Sequence, residues 1–312
     1  MEASKPTVWL FRDGKPGHEN QILGLVEALK RRVPGLDSRD VSLPHRESVS
    51  ARWRRLRAAR DDLPRPDLLV GAGHAVHLFL VWASLQHRAP SVVLMKPTLP
   101  ERFFSFSIIP AHDLRPGSGT TRRRLVTRGA INRVRYDPEA KESRGLILIG
   151  GPSKECGWDG VRLGEQIRAV VSAAPDLEWT ATDSRRTPAG FLETIRRTFP
   201  GVSCFPSGET GRDWLPAELA RASVVWVTRD SVSMIYEALS GGACVGILDT
   251  TPRGRPGRSS RGIAGLVRDG WVTPWDRWNE TGRVDPPPAV PAEADRCAAE
   301  LLQRLGWNES TD

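Results

Sequence analysis

Short apolar runs closed by small or charged residues recur along the chain, and each is followed by apolar residues three or four positions apart. Residues 7–11 (TVWLF) end at Asp13, Gly14, Lys15, Pro16 and Gly17; Ile22, Leu25, Val26 and Leu29 then repeat at helical spacing. That order reads as strand, loop, helix. Residues 67–71 (DLLVG) predict a second strand, with a helix over 75–86, and residues 91–95 (SVVLM) and 106–109 predict two more strands. Residues 118–124 read as a basic loop. Residues 136–144 (YDPEAKESR) have no apolar period and read as a domain boundary. The alternation then restarts. Residues 145–149 (GLILI), 177–181, 223–227 (SVVWV) and 243–248 (ACVGIL) predict strands, and 161–171, 190–199 and 232–239 predict helices. Residues 251–262 (TPRGRPGRSSRG) read as a loop, Pro286, Pro287 and Pro288 as a stiff linker, and 292–305 as an amphipathic helix closing the second domain. Buried strands alternating with helices make a parallel sheet with crossover helices. The expected fold class is α/β: two Rossmann-like, doubly wound parallel-sheet lobes, residues 1–140 and 141–312, with a cleft between them.

Composition agrees with a two-domain protein. The chain has 312 residues, 39% hydrophobic and 26% charged, enough apolar content for real cores. The longest near-apolar stretch, residues 75–85, has 11 residues including a histidine; a membrane span needs about 20. Residues 1–14 offer only the apolar run 8–11, so no secretory leader is expected. The four cysteines form no CxxC pair, which argues against a zinc ribbon or disulfide scaffold. A soluble, cytoplasmic protein without a metal is expected.

Charge adds a partner class. Residues 1–135 carry a net +12 and residues 136–312 a net −4. A basic lobe faces something anionic: a membrane surface, a phosphorylated acceptor or a nucleic acid. The densest stretch, residues 52–60 (RWRRLRAAR), mixes Trp53 and Leu56 with arginines at helical spacing and suits anionic headgroups, or a plain solvated helix. No nucleic-acid recognition motif or aromatic platform is present, so a nucleic-acid partner is not expected.

In open α/β sheets, ligands bind at the carboxyl ends of strands. Three such loops in the second lobe are small and polar. Gly150, Gly151, Ser153 and Lys154 offer backbone and side-chain donors to an anion, or make a plain tight turn. Ser184, Arg185, Arg186 and Thr187 present paired guanidinium forks suited to phosphate oxygens. Asp230, Ser231 and Ser233 open a helix whose dipole favours anions, with Glu237 one turn on and able to accept ribose hydroxyls. Each alone has a structural explanation; together they indicate a nucleotide-diphosphate site. In the first lobe, the loop DGKPGHENQ carries Asp13, Lys15, Gly17, His18 and Gln21. His18 or Asp13 is the candidate base. His112 and Asp113 follow the fourth strand and are expected to face the same acceptor side, whereas His74 and His77 read as packing residues.

The combination DGKPGHENQ, LIGGPS, TDSRRTP and VTRDSVSMIYEALSGG resembles the mitochondrial-fission Elm-type family over nearly the whole chain. The family looks like the GT-B class of glycosyltransferases. The resemblance implies a donor nucleotide in the second lobe, lined by residues 150–153, 184–187, Ser231, Ser233 and Glu237, and an acceptor at the first. The Gly17–His18 segment is similar to the glycine- and histidine-containing loop of lipid-acceptor GT-B enzymes. Ser240, Gly241, Gly242 and Ala243 depart from a Gly-Lys-Pro-like turn common in the family. The implied activity is sugar transfer from a nucleotide-diphosphate sugar, a co-substrate rather than a tightly bound cofactor, to an envelope lipid or phosphorylated glycan, at the inner face of a membrane. A non-catalytic membrane-surface adaptor and a nucleotide-sugar epimerase are the alternatives.

Overall fold

The computed structural model describes residues 5–115, 117–255 and 257–307. The chain forms two compact units: Met1–Arg133 with Glu293–Asp312, and Val134–Ala292.

The first unit runs β1 (Thr7–Arg12), α1 (Pro16–Arg32), β2 (Asp37–Ser42), α2 (Val49–Asp62), β3 (Leu68–Ala72), α3 (His77–His87), β4 (Ser91–Leu94), β5 (Phe106–Pro110) and β6 (Arg124–Thr127). Its six strands pair in parallel in the order β2-β1-β3-β4-β5-β6. Central strands are apolar throughout because both faces are covered. Val8, Leu10, Val70 and Val92 pack against α1, and Trp9, Phe11, Leu69 and Val93 against α2 and α3. Pro16 opens α1, Glu19 lies in its first turn and Lys30, Arg31 and Arg32 in its last, which suits the helix dipole.

The second unit contains β7 (Glu142–Leu148), α4 (Gly160–Ala173), β8 (Glu178–Thr182), α5 (Phe191–Thr198), β9 (Val202–Phe205), α6 (Trp214–Arg221), β10 (Ala222–Thr228), α7 (Val232–Ser240), β11 (Cys244–Leu248), α8 (Arg258–Arg268), β12 (Thr273–Pro274) and α9 (Trp275–Thr281). Its parallel sheet has the order β12-β11-β10-β7-β8-β9. One core joins the sheet to α6, α7 and α8; the other joins it to α4, α5 and α9.

The last helix, α10 (Glu293–Leu305), corrects the expected division. It belongs to the first unit: Cys297, Ala298, Leu301 and Leu302 are fully buried in the core built on α1, and Arg31 pairs with Asp295 at 2.8 Å. An amphipathic stripe shows that a helix is half-buried, not which sheet buries it. The chain crosses between units at residues 133–134, ahead of the expected boundary. With the acidic α10 returned to it, the first unit carries 25 basic and 17 acidic residues, and the second 20 of each. The charge contrast therefore persists but narrows.

Several elements have no clear apolar signature. β2 (DSRDVS) is an edge strand in which only Val41 is buried. β6 holds four residues, and its first, Arg124, falls in the expected loop. α8 begins inside the expected Gly/Pro/Arg loop. Among the described residues no helix is long and apolar enough to cross a membrane.

Candidate functional site

Each sheet reverses its strand order once. In the first unit the reversal lies between β1 and β3, and in the second between β7 and β10. Loops leaving the carboxyl ends on either side of such a switch diverge and open a crevice. Candidate residues from the sequence lie at both switch points.

In the second unit, the loop after β7 meets the loop after β10. The Gly150 N–H donates to Thr228 Oγ1 at 2.7 Å and the Gly151 N–H to Asp230 Oδ2 at 3.1 Å. The Ser231 hydroxyl donates to the same oxygen at 2.9 Å, and Arg186 Nη2 pairs with it at 2.7 Å. Arg186 also reaches Ser231 Oγ at 3.2 Å and the Gly151 carbonyl at 3.4 Å. The loop after β8 is fixed by Thr187, whose hydroxyl lies 2.9 Å from the Ile149 carbonyl and 2.5 Å from that of Gly150, and accepts the Ser184 N–H at 2.8 Å. A Cβ on Gly151 would stand 2.0 Å from the Arg186 carbonyl, so only glycine lets these loops touch.

One buried oxygen thus collects a backbone N–H, a hydroxyl and a guanidinium. This donor set suits a phosphate oxygen, and the protein fills it with its own Asp230 carboxylate. Asp230 Oδ1 is buried and has no hydrogen-bond partner among the described residues. Ser231 begins α7 without capping it, so first-turn N–H groups remain for a ligand.

The other predicted residues lie around this core. Ser233, Lys154 and Arg185 are exposed, and Glu237 is half-buried on α7. The Ser153 hydroxyl is used within its own loop, accepting the N–H groups of Glu155 and Cys156. Lys154 has no partner among the described residues, and at the switch the loop acts through the Gly150 and Gly151 N–H groups, which donate to the loop after β10, rather than through Ser153.

In the first unit, Asp13 is fully buried and takes His18 Nδ1 at 2.8 Å. Its Oδ1 accepts the Lys15 N–H at 3.0 Å, and its carbonyl accepts from His45. Burial pushes the Asp13 carboxyl up, but bonds from His18 and Lys15 outweigh it and hold the pKa below 3.8. An ionised Asp13 keeps the proton on Nδ1 and leaves Nε2 as the basic nitrogen.

Gly73, which follows β3 with φ +90°, carries no chemistry of its own and so is not a candidate from the sequence. A Cβ there would lie 2.3 Å from His18 Nδ1 and 2.8 Å from Asp13 Oδ2. The bare glycine lets the Asp13–His18 hydrogen bond sit against β3; a Gly-His after a strand is its only signal in the sequence. His74 also departs from expectation: it is exposed, one residue past Gly73. His77 does pack, against Phe104, with Nδ1 3.0 Å from Thr98 Oγ1, and burial first of all pushes its pKa down to about 4.

Not every acceptor-side residue gathers here. Gln21 is buried and donates to the Met95 sulfur at 3.2 Å, so its amide is directed inward rather than to a ligand. Met95, just past β4, holds φ +68°, a left-handed conformation unusual for its type. Gly17 is exposed on the first turn of α1. His112 and Asp113 follow β5, three strand spacings from β1, roughly 14 Å. They share the carboxyl-end edge of the sheet with Asp13 and His18, three strands away. Among the described residues no three His, Cys, Asp or Glu side chains gather to hold a metal ion.

A family model described as Mitochondrial fission ELM1 matches residues 16–305. No curated protein matches the chain. Solved structures with the same two-unit fold include one assigned as UDP-N-acetylglucosamine 2-epimerase from Listeria monocytogenes (TM-score 0.60, 12% identity, 97% of each chain covered). A UDP-GlcNAc 2-epimerase from Neisseria meningitidis bound to UDP-GlcNAc gives 0.54 at 10% identity, covering 96% of this chain and 99% of that one. MurG from Acinetobacter baumannii gives 0.53 at 8% identity, with 96% and 99% covered.

Proposed function

Because the chain belongs to the mitochondrial fission ELM1 family and has the GT-B fold, we propose that it is a metal-independent glycosyltransferase acting on a nucleotide-diphosphate sugar. The acceptor is an envelope lipid or glycan that carries negative charge. The observation that carries this reading is the convergence of Gly151, Ser231 and Arg186 on one buried oxygen at the switch point of the second unit.

The donor diphosphate takes up the donors that Asp230 holds in the free protein. Arg186, the Gly151 N–H and the α7 N-terminus stabilise charge on the departing diphosphate. Arg185 adds a second cation from solvent, and Glu237 receives ribose hydroxyls. No tightly bound cofactor is required: the nucleotide sugar is a co-substrate. In the first unit His18 Nε2 takes the acceptor hydroxyl proton, with Asp13 holding its tautomer and stabilising the imidazolium. Lys15 and Gly17 flank it. The basic first unit meets the anionic acceptor and its membrane, with the protein peripheral at the cytoplasmic face; the excess of 25 basic over 17 acidic residues in that unit supports this.

A second reading, nucleotide-sugar epimerisation, is favoured by the two epimerase structures of the same fold. It requires turnover of a sugar nucleotide without an acceptor.

Calorimetry with UDP, ADP, GDP, CMP and their sugar conjugates tests the reading. At least one nucleoside diphosphate binds, and Arg186→Ala weakens it roughly tenfold or more, the cost of one charge-assisted hydrogen bond. Failure of every nucleotide to bind the intact protein removes both enzymatic readings and leaves the adaptor.

A further inference from the structure

The peripheral-membrane part of this reading does not say which surface meets the bilayer. The arginine-rich helix α2 is poorly suited. Trp53 and Leu56 turn inward, Trp53 against Phe79 and Trp82. Arg52 donates to the Ala75 carbonyl, and Arg55 is bound by Glu47. With Trp53 and Leu56 spent on the core, α2 exposes only Val49 at its first turn and no aromatic side chain to insert.

The opposite edge of the same sheet differs. All six strands are parallel, so their N-terminal ends lie together, away from His18 and Asp13. Two hollows open there. One, of about 620 Å³, is bounded by Leu85, Phe103, Phe106, Arg102, Arg122 and Arg123, where β5 and β6 begin. The other, of about 460 Å³, is bounded by Lys5, Arg65 and Arg88, where β1, β3 and β4 begin. Leu85 is 76% exposed and Phe103 47%. Arg102 lies over the Phe103 ring at 5.2 Å. Among the described residues, Lys5, Arg88, Arg102, Arg122 and Arg123 have no carboxylate at ion-pair distance. Of the acids nearby, Glu101 is paired with Arg124 and Asp37 with Arg39, while Asp67, which accepts the Thr7 N–H, and Asp62 carry no cation among the described residues, so the five cations outnumber them. Arg304 is held by Glu300 and by the carbonyls of Thr121 and Arg122, which fixes the segment that presents Arg122 and Arg123.

We propose that this edge is the surface by which the first unit lies on an anionic phospholipid leaflet, with Leu85 and Phe103 entering between headgroups and the surrounding cations meeting phosphates. Three features fit a leaflet better than a single soluble phosphate or a nucleic acid. The cations are exposed and spread over two hollows, so none forms a buried cradle for one phosphate. The exposed Leu85 and Phe103 bound the same hollow as Arg102, Arg122 and Arg123, and a charged backbone offers Leu85 nothing. The edge lies one strand length, about 20 Å, from the His18 loop, so docking leaves that loop unobstructed. The inference deepens the membrane part of the reading and is independent of sugar transfer.

Co-sedimentation of the full chain tests it, with vesicles of phosphatidylcholine alone and of equal parts phosphatidylcholine and phosphatidylglycerol. The wild type partitions to the mixed vesicles and is released by salt. Each cation near an anionic leaflet contributes roughly fivefold. Arg122→Glu with Arg123→Glu therefore lowers partitioning by about tenfold or more, while Arg54→Glu with Arg57→Glu on α2, an equal change in net charge, leaves it within about twofold. Phe103→Ser lowers it without changing charge. Circular dichroism and nucleotide binding are measured on each variant to show that it is folded. Equal losses from the two charge reversals mean attraction by net charge alone and overturn the proposed edge while leaving membrane association intact. No partitioning by the wild type overturns both. Binding of a nucleic-acid duplex in place of vesicles, lost with Arg122 and Arg123, also overturns the proposal. Nucleotide binding by the second unit is unaffected in every case, so the transferase reading is judged separately.

Discussion

The Asp13–His18 pair joins burial, charge and tautomer in one contact. A carboxylate with no solvent exposure remains ionised only because His18 and the Lys15 N–H bind it. Asp13→Asn keeps the shape and removes the charge. Transfer should then fall about 10²–10⁴-fold, the usual contribution of a positioned base, with nucleotide binding unchanged. The stability effect has a definite pH sense. The folded-state pKa lies below 3.8, so ionised Asp13 stabilises the fold at every pH above that value and stops doing so as pH falls through the lower folded value. Urea melts of wild type and Asp13→Asn should therefore differ by a constant amount from neutral pH down to 3.8 and converge only as pH falls further, through the folded value. A gap that widens in acid would show that the carboxylate is not the stabilising group. Gly73→Ala tests the same contact from the side of β3. Its Cβ must displace His18 and hold φ +90°, at a cost of about 1–3 kcal/mol.

At the scale of elements, α10 decides where the first unit ends. Leu301 and Leu302 are fully buried beside α1, so Leu301→Ala should cost about 2–5 kcal/mol. Hydrogen exchange should show the loss in β1, α1 and β3 while β7 and β10 keep their protection. Loss of protection in the second unit instead would return the helix to the division expected from sequence. This element also shows what the chain's pattern reveals. Runs such as TVWLF, GLILI and SVVWV became central strands because strands covered on both faces must be apolar throughout. Edge strand β2 shows one buried side chain and carries no such signal. The glycine, arginine and serine loops were legible because small and charged residues at a strand end stand out against the apolar run before them. Gly73 was not, since its role is to be absent where His18 packs. Gln21 could not be told from a surface amide, because its partner, Met95, stands 74 residues further along the chain.

At the scale of the molecule, each unit has its own sheet and two cores, so a ligand held by one should stabilise that one first. The proposed donor contacts come from the loops after β7, β8 and β10 and from α7, all in the second unit. A nucleoside diphosphate at about one hundred times its dissociation constant should therefore add about 2.7 kcal/mol to the stability of the second unit. Exchange at residues 150–156, 182–187 and 228–241 should slow, while amides of β1 to β6 keep their free-protein rates. Arg186→Ala should weaken this protection because it removes the cation. Asp230→Asn carries the opposite expectation. In the free protein Asp230 occupies the donors that a phosphate needs, and its carboxylate repels the incoming charge. The amide keeps a carbonyl oxygen for the Gly151 N–H but releases Arg186, so nucleotide affinity should rise as that of Arg186→Ala falls. Equal losses in both variants would mean that Asp230 positions the arginine for the ligand rather than competing with it. Protection confined to the first unit would remove the donor from these loops altogether.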